Sequence, residues 1–493
     1  MKDLKEKAIR GGSARGAALA ANFLLRVGSL VILARLLDPK DFGLLGMVTA
    51  FTGILGLFRD FGLSAAAIQR VNVTEEQSST LFWINLLVGA VLTIIAMISS
   101  PLVASFYHEP RLLSVTCVVA TGFLLNAAGI QHSTLLQRQM RFTTIAWIDV
   151  ASLVFSTAVA IAMAKAGYGY WALVAMTIFV PLSGSACVWL ASGWIPGRPH
   201  KGVGIRSMMR FGGTLTLNGV VLYIATNFEK VLLGRFWGAE ALGIYGRAYQ
   251  LIRIPTDNLN SAVGDVAFSA LSRIQDDPPR LKRYFLKGYS LVIGFTVPIT
   301  VACALFADDM ISVLLGPKWR AAAVIFRLLA PMMLIFAILN PLGWLLNAIG
   351  FVGRGLKIAL VLAPLMIASY VVGLPYGPKG VALAYSGIML LWLIPGTIWA
   401  VHGTAISLWD VARECSRPLS SIIPAGALAF GSSLYFSHWA TPLARLILEC
   451  TLLFTVYFAL LLFVAGQKSF YLDLFRGLIG RSSIKEEELA PTP

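Results

Sequence analysis

Long apolar runs separated by short polar segments make up most of the chain. A polar, basic segment of 15 residues comes first, and an apolar run without a signal-peptidase motif follows it, which predicts a retained first span. Further apolar runs begin near residues 44, 80, 112, 144, 168, 210, 242, 287, 320, 355, 380, 418 and 441. Because about 20 apolar residues suffice to cross a bilayer as a helix, the pattern predicts an all-α polytopic membrane protein with about 14 transmembrane helices.

The composition agrees with this pattern and excludes several classes of protein. Of the 493 residues, 57% are hydrophobic and 13% are charged, whereas soluble domains have about 45–50% and about 25%. A soluble enzyme and a disordered chain are therefore excluded. The five cysteines are odd in number and include no CxxC motif, which indicates neither a disulfide framework nor a zinc site. We predict no metal site and no cofactor.

The net charge of +16 is explained by membrane topology. With the N-terminus in the cytoplasm, the cytoplasmic segments of the 14-span topology hold 25 Lys and Arg residues, and the opposite loops hold 8. Cytoplasmic loops of membrane proteins carry such an excess of cations. We therefore predict that both termini are cytoplasmic, and the charge requires no nucleic-acid partner.

The chain contains an internal repeat at an offset of 200 residues. VILAR, residues 31–35, aligns with VLLGR, residues 231–235, and both Gly43/Gly243 and Gly46/Gly246 align in register. Six spans separate the copies, so both cross the membrane in the same direction, as in transporters with parallel repeats. The glycines should allow close packing. The predicted divisions are an N-terminal six-helix bundle (1–192), a cytoplasmic linker (193–206), a C-terminal six-helix bundle (207–402), helices 13 and 14 (403–465) and a cytoplasmic tail (466–493).

Seven cations remain inside predicted spans, where each costs about 2.5–3.5 kcal/mol at the centre of the membrane. They are Arg26, Arg35, Arg59, Lys230, Arg247, Arg253 and Arg327. Arg35 and Arg247 lie near span ends, where the side chains can extend to the interface. The other five are candidates for a water-filled cationic cavity between the bundles, and the alternative is that they form buried salt bridges which lock helices together. Arg327 lies within about two turns of the outer end of its span, so its side chain could instead extend to the interface. The available acidic partners are Asp60, Asp149 and Asp257.

One predicted span contains a proline among polar residues. The segment LIRIPTDNLNSAVGD, residues 251–265, places Pro255 close to Arg253 and Asp257. Proline removes a backbone hydrogen bond and kinks or breaks a helix, and broken helices at membrane depth line cavities. We therefore predict a helix break at Pro255 that faces the cavity.

The segment RLLDPKDFGLLGMVTAFTGILGLFRDFGLSAAAIQR, residues 35–70, strongly resembles the start of bacterial polysaccharide repeat-unit flippases. These proteins belong to the multidrug/oligosaccharidyl-lipid/polysaccharide exporter superfamily, and within the family the chain looks like the exopolysaccharide branch. The resemblance is most specific over spans 1 and 2 and extends over the whole chain through its length, span number and repeat.

The resemblance implies an activity in the bacterial inner membrane. Such flippases move an undecaprenyl-diphosphate-linked oligosaccharide from the cytoplasmic to the periplasmic leaflet, and a polymerase and export machinery are implied partners. Related lipid flippases engage the diphosphate with arginines in spans 1, 2 and 8, the spans that contain Arg26, Arg59 and Arg253. Lys230 and Arg327 are further candidates for binding the diphosphate. Arginine suits this task because its planar fork of donors matches phosphate oxygens.

The mechanism expected is alternating access, in which the two bundles rock against each other. Because the chain has no GxxxxGK[ST] motif, energy should come from an H⁺ or Na⁺ gradient, with Asp60, Asp149 or Asp257 as the ion carrier, or from removal of the product.

Three alternatives remain open at this stage. A multidrug extrusion antiporter would need an acidic rather than a cationic cavity. A membrane polymerase or ligase acting on the same lipid would need a metal-binding acidic cluster, but the doublets Asp276-Asp277 and Asp308-Asp309 are typical of solvated loops. A non-transporting scaffold for a synthesis complex would leave the deep arginines unexplained. We therefore expect a transporter and not an enzyme.

Overall fold

A computed structural model describes residues 20–59, 74–200, 206–436, 441–469 and 471–472. These ranges contain helices, turns and loops but no strand, which confirms the all-α class. The helices are α1 (20–36), α2 (Pro39–Leu57), α3 (Glu75–Tyr107), α4 (Arg111–Arg138), α5 (Phe142–Lys165), α6 (Tyr170–Ser192), α7 (Arg206–Ser272), α8 (Pro278–Leu305), α9 (Ala307–Leu314), α10 (Arg320–Leu329), α11 (Pro331–Ala348), α12 (Val352–Gly373), α13 (Gly377–Val401), α14 (Leu408–Phe436) and α15 (Pro442–Ala459). Short 3₁₀ turns occupy Pro317–Trp319 and Leu374–Tyr376, and a π-helical turn at Leu460–Val464 extends α15.

Many of these helices are suited to lipid rather than to water. Among the described residues, nine helical segments are long and apolar enough to cross a membrane, and one of them, Gly353–Val401, has 49 residues and covers both α12 and α13. Large apolar side chains remain exposed on several helices, including Leu102 at 72%, Leu190 at 84% and Leu391 at 73%. A soluble domain would bury such residues, so the chain is a multi-pass membrane protein. The number of 14 spans stays a prediction.

The long helix α7 contains a backbone break at a position that differs from the expected one. Its helical segments meet at Gly238, whose φ of 79° lies in the region that favours glycine. This position falls between the predicted spans 7 and 8. The helix continues through Pro255, where we expected a break.

The helices group into two compact units. The first comprises the described parts of Met1–Gln250, Leu314–Ile325 and Ala359–Ile388, and the second those of Leu251–Val313, Phe326–Ile358 and Met389–Pro493. In the first unit α4 packs against α3 and α6, and in the second α8 packs against α11 and α14. The predicted linker at 193–206 does not coincide with a unit boundary, because the first unit continues to Gln250.

Contacts between connecting segments follow the predicted alternation between membrane sides. Lys318 Nζ lies 2.7 Å from Asp38 Oδ1, and Arg235 lies 2.8 Å from the ring nitrogen of His108. All four residues lie on or beside loops predicted on the outer side. On the opposite side, the Trp83 indole donates to the carbonyl oxygen of Gly197 at 2.8 Å. The alternation of loops along the chain thus agrees with these contacts.

The described part of the predicted linker packs along the first turns of α3. The Gly197 amide donates to Ser79 Oγ and the His200 amide donates to Thr80 Oγ1, both at 3.0 Å. The Thr74 side chain caps the same helix by accepting from the Gln77 amide. Because both ends of these bonds lie in the first unit, the linker is part of that unit's packing.

Candidate functional site

Arg26 lies near the middle of α1, on its exposed face. Its Nε donates a hydrogen bond of 2.6 Å to Asn22 Oδ1, one turn earlier. The carboxylate of Asp149 on α5, also exposed, lies within electrostatic range of Arg26. The first unit thus brings together a candidate cation and a candidate acid that are 123 positions apart in the sequence.

Arg59 follows the end of α2 and is half-buried. Its Nε is buried and has no hydrogen-bond acceptor within the part of the chain that the structure describes. Its neighbour Asp60 lies outside the described residues. The role of Arg59 in binding the diphosphate stays a prediction.

Glu229 and Lys230, adjacent on α7, point into different surroundings. Glu229 is 1% exposed and lies in electrostatic range of the buried tyrosines Tyr245 and Tyr385. Lys230 is half-buried and donates a bond of 2.7 Å to Asn227 Oδ1. Neighbouring residues of a helix do not face each other, and this geometry matches that rule.

Arg253 and Asp257 form an ion pair one turn apart on α7, in the second unit. Arg253 Nη2 lies 3.0 Å from Asp257 Oδ1, and Arg253 Nε lies 3.1 Å from Asp257 Oδ2. The two side chains are 40% and 53% exposed. The carboxylate therefore engages two donors of the guanidinium, as a phosphate group would.

Arg327 on α10 belongs to a second ion pair of this unit. Its Nη2 lies 2.6 Å from Asp308 Oδ2 and its Nε donates to the carbonyl oxygen of Ala304 at 3.1 Å. The Arg327 and Asp308 side chains are 45% and 70% exposed. Such an exposed pair contributes little stability.

The neighbouring acid, Asp309, belongs to a buried ionic cluster that the sequence did not reveal. Arg445 on α15 donates through Nε to Asp309 Oδ2 at 2.6 Å and also through Nη2 to Asp309 Oδ1. Glu449, 1% exposed, lies one turn further along α15, with Oε1 4.0 Å from Arg445 Nε. Asp309 is 8% exposed, so the expectation of a solvated doublet is wrong for this residue. The signal in the sequence was the i, i+4 spacing of Arg445 and Glu449 at the start of an apolar run.

The two repeats meet through a reciprocal contact that involves four residues. A Cβ atom added to Gly43 would lie 1.7 Å from the carbonyl oxygen of Ala239, and one added to Gly243 would lie 1.8 Å from that of Pro39. At the offset of 200, Pro39 corresponds to Ala239 and Gly43 to Gly243. Reciprocity of this kind is the signature of a two-fold relation. We call these four residues the reciprocal glycine contact.

Two of the candidate cations lie beside a carboxylate that an anionic ligand could replace. Arg26 has Asp149 in range and Arg253 holds Asp257, and both pairs are accessible on the surface of their own unit. A phosphate oxygen can replace a carboxylate oxygen at a guanidinium without loss of hydrogen bonds. Within the described ranges, no group of three His, Cys, Asp or Glu residues could hold a metal ion.

Comparisons with known proteins place the chain among proteins of polysaccharide synthesis. It is 28% identical to the teichuronic acid biosynthesis protein TuaB of Bacillus subtilis (strain 168) over 390 residues, which cover 77% of this chain and 80% of that protein. It is 27% identical to the lipopolysaccharide biosynthesis protein WzxC of Escherichia coli (strain K12) over 397 residues, or 79% and 80% of the two chains.

The fold is similar to that of the lipid II flippase MurJ in an inward closed conformation. The TM-score is 0.72 at 14% sequence identity, and the likeness covers 94% of this chain and 99% of the other. The polysaccharide biosynthesis protein family matches residues 32–324, which is more than half of the chain, and the chain therefore belongs to that family.

Proposed function

We propose that this protein flips undecaprenyl-diphosphate-linked oligosaccharide repeat units from the cytoplasmic to the periplasmic leaflet of the bacterial inner membrane. The units would serve exopolysaccharide synthesis, in which a polymerase and export machinery take them over. Membership of a polysaccharide biosynthesis family and the fold shared with a flippase support this proposal. Both termini would be cytoplasmic, as the excess of cations in the loops indicates.

The exposed position of Arg26 near the middle of α1, which lies in the predicted first membrane span, carries the proposal. A permanently charged side chain at this depth is costly unless it serves an ion or substrate pathway. A lipid diphosphate is an anion that cannot cross the hydrocarbon core alone, and its oxygens fit the guanidinium fork. Arg59 and Lys230 in the first unit, and Arg253 and Arg327 in the second, would be further cations that engage the diphosphate.

The acids beside the arginines suggest how the empty carrier is held. Asp257 engages the donors of Arg253 and Asp149 lies in electrostatic range of Arg26, so these acids would hold the arginines once the substrate has left. The diphosphate would displace these carboxylates, and the released carboxylates would then be free to bind H⁺ or Na⁺. Asp60 would be a third candidate for this coupling.

Transport in proteoliposomes that contain the lipid-diphosphate oligosaccharide tests the proposal. Arg26→Ala and Arg253→Ala should insert normally and stop transport, whereas the matching lysine variants should retain part of it because they keep the charge. Arg320→Ala, which removes an exposed arginine at the start of α10, is the matched control. Full transport by both alanine variants, or efflux of organic cations by the wild-type protein, would overturn the proposal.

The coupling step has its own measurement in the same vesicles. An imposed H⁺ or Na⁺ gradient should accelerate wild-type transport, and Asp257→Asn should remove part of that acceleration. If the variant responds to both gradients as the wild-type protein does, Asp257 has no part in coupling.

A further inference from the structure

A cavity of about 380 Å³ lies in the second unit, where α11, α12 and α13 have their ends. Its lining consists of Phe351, Gly353, Arg354, Lys357 and Trp399. Two of these five residues are cations, two are aromatic, and none is acidic. This composition is suited to an anion with an attached apolar group.

The arginine of this cavity is held in a fixed orientation. The Arg354 guanidinium carbon lies 4.6 Å from the centre of the Phe351 ring, and Nη1 donates to the carbonyl oxygen of His402. A guanidinium held by a ring face and by a carbonyl keeps its other donors pre-oriented. Lys357, three residues further along α12, lies on the same helix face and is exposed.

Exposed apolar side chains close in sequence to the lining residues form an apolar surface beside the cavity within the second unit. On α12, Leu356 is 45% exposed, and on α13 Ile394 and Ile398 are 62% and 48% exposed; all three belong to the second unit. Trp399 follows Ile398 at the cavity, and tryptophan is typical of the interface between the membrane and water. A ligand with a phosphate at the cavity and an acyl or prenyl chain along these helices would use both parts.

We propose that this cavity binds the phosphate group of a membrane lipid in the leaflet at this end of α12 and α13. Basic pockets between transmembrane helices on the cytoplasmic side bind anionic headgroups in this way, and the positive-inside rule assigns this end to the cytoplasm. The apolar surface favours a lipid over free phosphate. Either an anionic phospholipid or a polyprenyl diphosphate could supply the group, and the site does not depend on what the protein transports.

Native mass spectrometry of the full-length, delipidated protein in detergent tests this site. Titration with phosphatidylglycerol should show one bound lipid. Arg354→Gln/Lys357→Gln should weaken its binding by about 30-fold, because each cation near a membrane surface contributes about 5-fold in affinity. The matched control is Arg280→Gln/Lys287→Gln, which also removes one half-buried arginine, stacked at 5.8 Å on Tyr284, and one exposed lysine. Equal affinity in both double variants would overturn the proposal.

Single variants separate binding from folding, because Arg354 also anchors His402. Lys357→Gln leaves that anchor in place and should weaken lipid binding by about 5-fold with unchanged thermal stability. A titration with undecaprenyl diphosphate distinguishes the source of the phosphate, and a stronger effect of the double variant on this lipid would identify it as the preferred occupant. If inorganic phosphate at equal concentration displaced phosphatidylglycerol, the apolar surface would contribute nothing to binding. This result would overturn the assignment of the site to a lipid.

Discussion

The reciprocal glycine contact makes a prediction that separates it from ordinary helix packing. Gly243→Ala would place a Cβ atom 1.8 Å from the carbonyl oxygen of Pro39, and real Cβ atoms essentially never approach such an atom within 3.0 Å. Backbone atoms of the two repeats would therefore have to separate by more than about 1 Å. Gly43→Ala should have the same effect because the contact is reciprocal.

The magnitude follows from the cost of overpacking. Inserting a methyl group into a well-packed contact costs about 1–3 kcal/mol. A bias of this size changes the ratio of two conformations by about 5- to 150-fold. We expect Gly243→Ala to lower, by this factor, the population of the conformation in which the two repeats touch. A transport cycle that passes through this conformation should become slower.

Distance measurements by double electron–electron resonance report this shift directly. Lys40 and Glu240 are exposed, occupy equivalent positions of the two repeats, and each follows a residue of the contact. Spin labels at these positions, in a background without the five native cysteines, should show a short distance in the parent protein and a longer one in Gly243→Ala. The control is Gly246→Ala on the same helix, because a Cβ there would meet nothing within 4 Å. The reasoning fails if Gly243→Ala gives the same distance distribution as Gly246→Ala.

Two further predictions concern ion pairs within single units. Arg445→Ala should lower the free energy of unfolding by about 3–5 kcal/mol because it leaves Asp309 buried without its cation. Arg327→Ala should lower it by only about 0–1 kcal/mol because its ion pair is exposed. Thermal unfolding in detergent measures both losses of stability, and similar losses would refute the distinction. The hydrogen bonds from Arg111 lower the pKa of Glu109 below its usual 4.5, so this pair stabilises the fold above pH 4.5 and its contribution is lost as the pH falls through the lowered pKa. Glu109→Gln should flatten the stability profile in that acidic range, and an unchanged profile would contradict the assignment.

The helices and their repeat could be predicted because they depend on local sequence. Runs of apolar residues set the helix lengths, and the alternation of loops follows from counting spans, as the pairing of Asp38 with Lys318 illustrates. The close packing expected at Gly43 and Gly243 also followed from the repeat alone. The break in α7 was placed at Pro255, whereas the non-helical dihedral lies at Gly238, since a positive φ suits glycine.

Pairings across long sequence distances could not be predicted in the same way. Asp309 and Arg445 lie 136 positions apart, and only tertiary packing determines that one acid of the Asp308-Asp309 doublet is buried while the other is exposed. The cavity proposed to bind a lipid phosphate could not be predicted for a similar reason. Arg354 and Lys357 contributed to the charge count as loop cations, and nothing near them in the sequence indicated that Trp399 lies beside them.

The pairing of embedded arginines with acids has a consequence for a carrier that must return empty. A lone guanidinium in the membrane is costly, so a site made of cations alone would resist reorientation once its anionic substrate had left. Asp257 engages two donors of Arg253 and Asp149 lies in electrostatic range of Arg26, so these two arginines each have a carboxylate nearby. A diphosphate, with more acceptor oxygens and more charge than one carboxylate, can still displace it. The acids would therefore lower the free-energy barrier for reorientation of the protein without substrate. They would also make the electrostatic attraction for an arriving headgroup weaker than the number of embedded cations alone suggests.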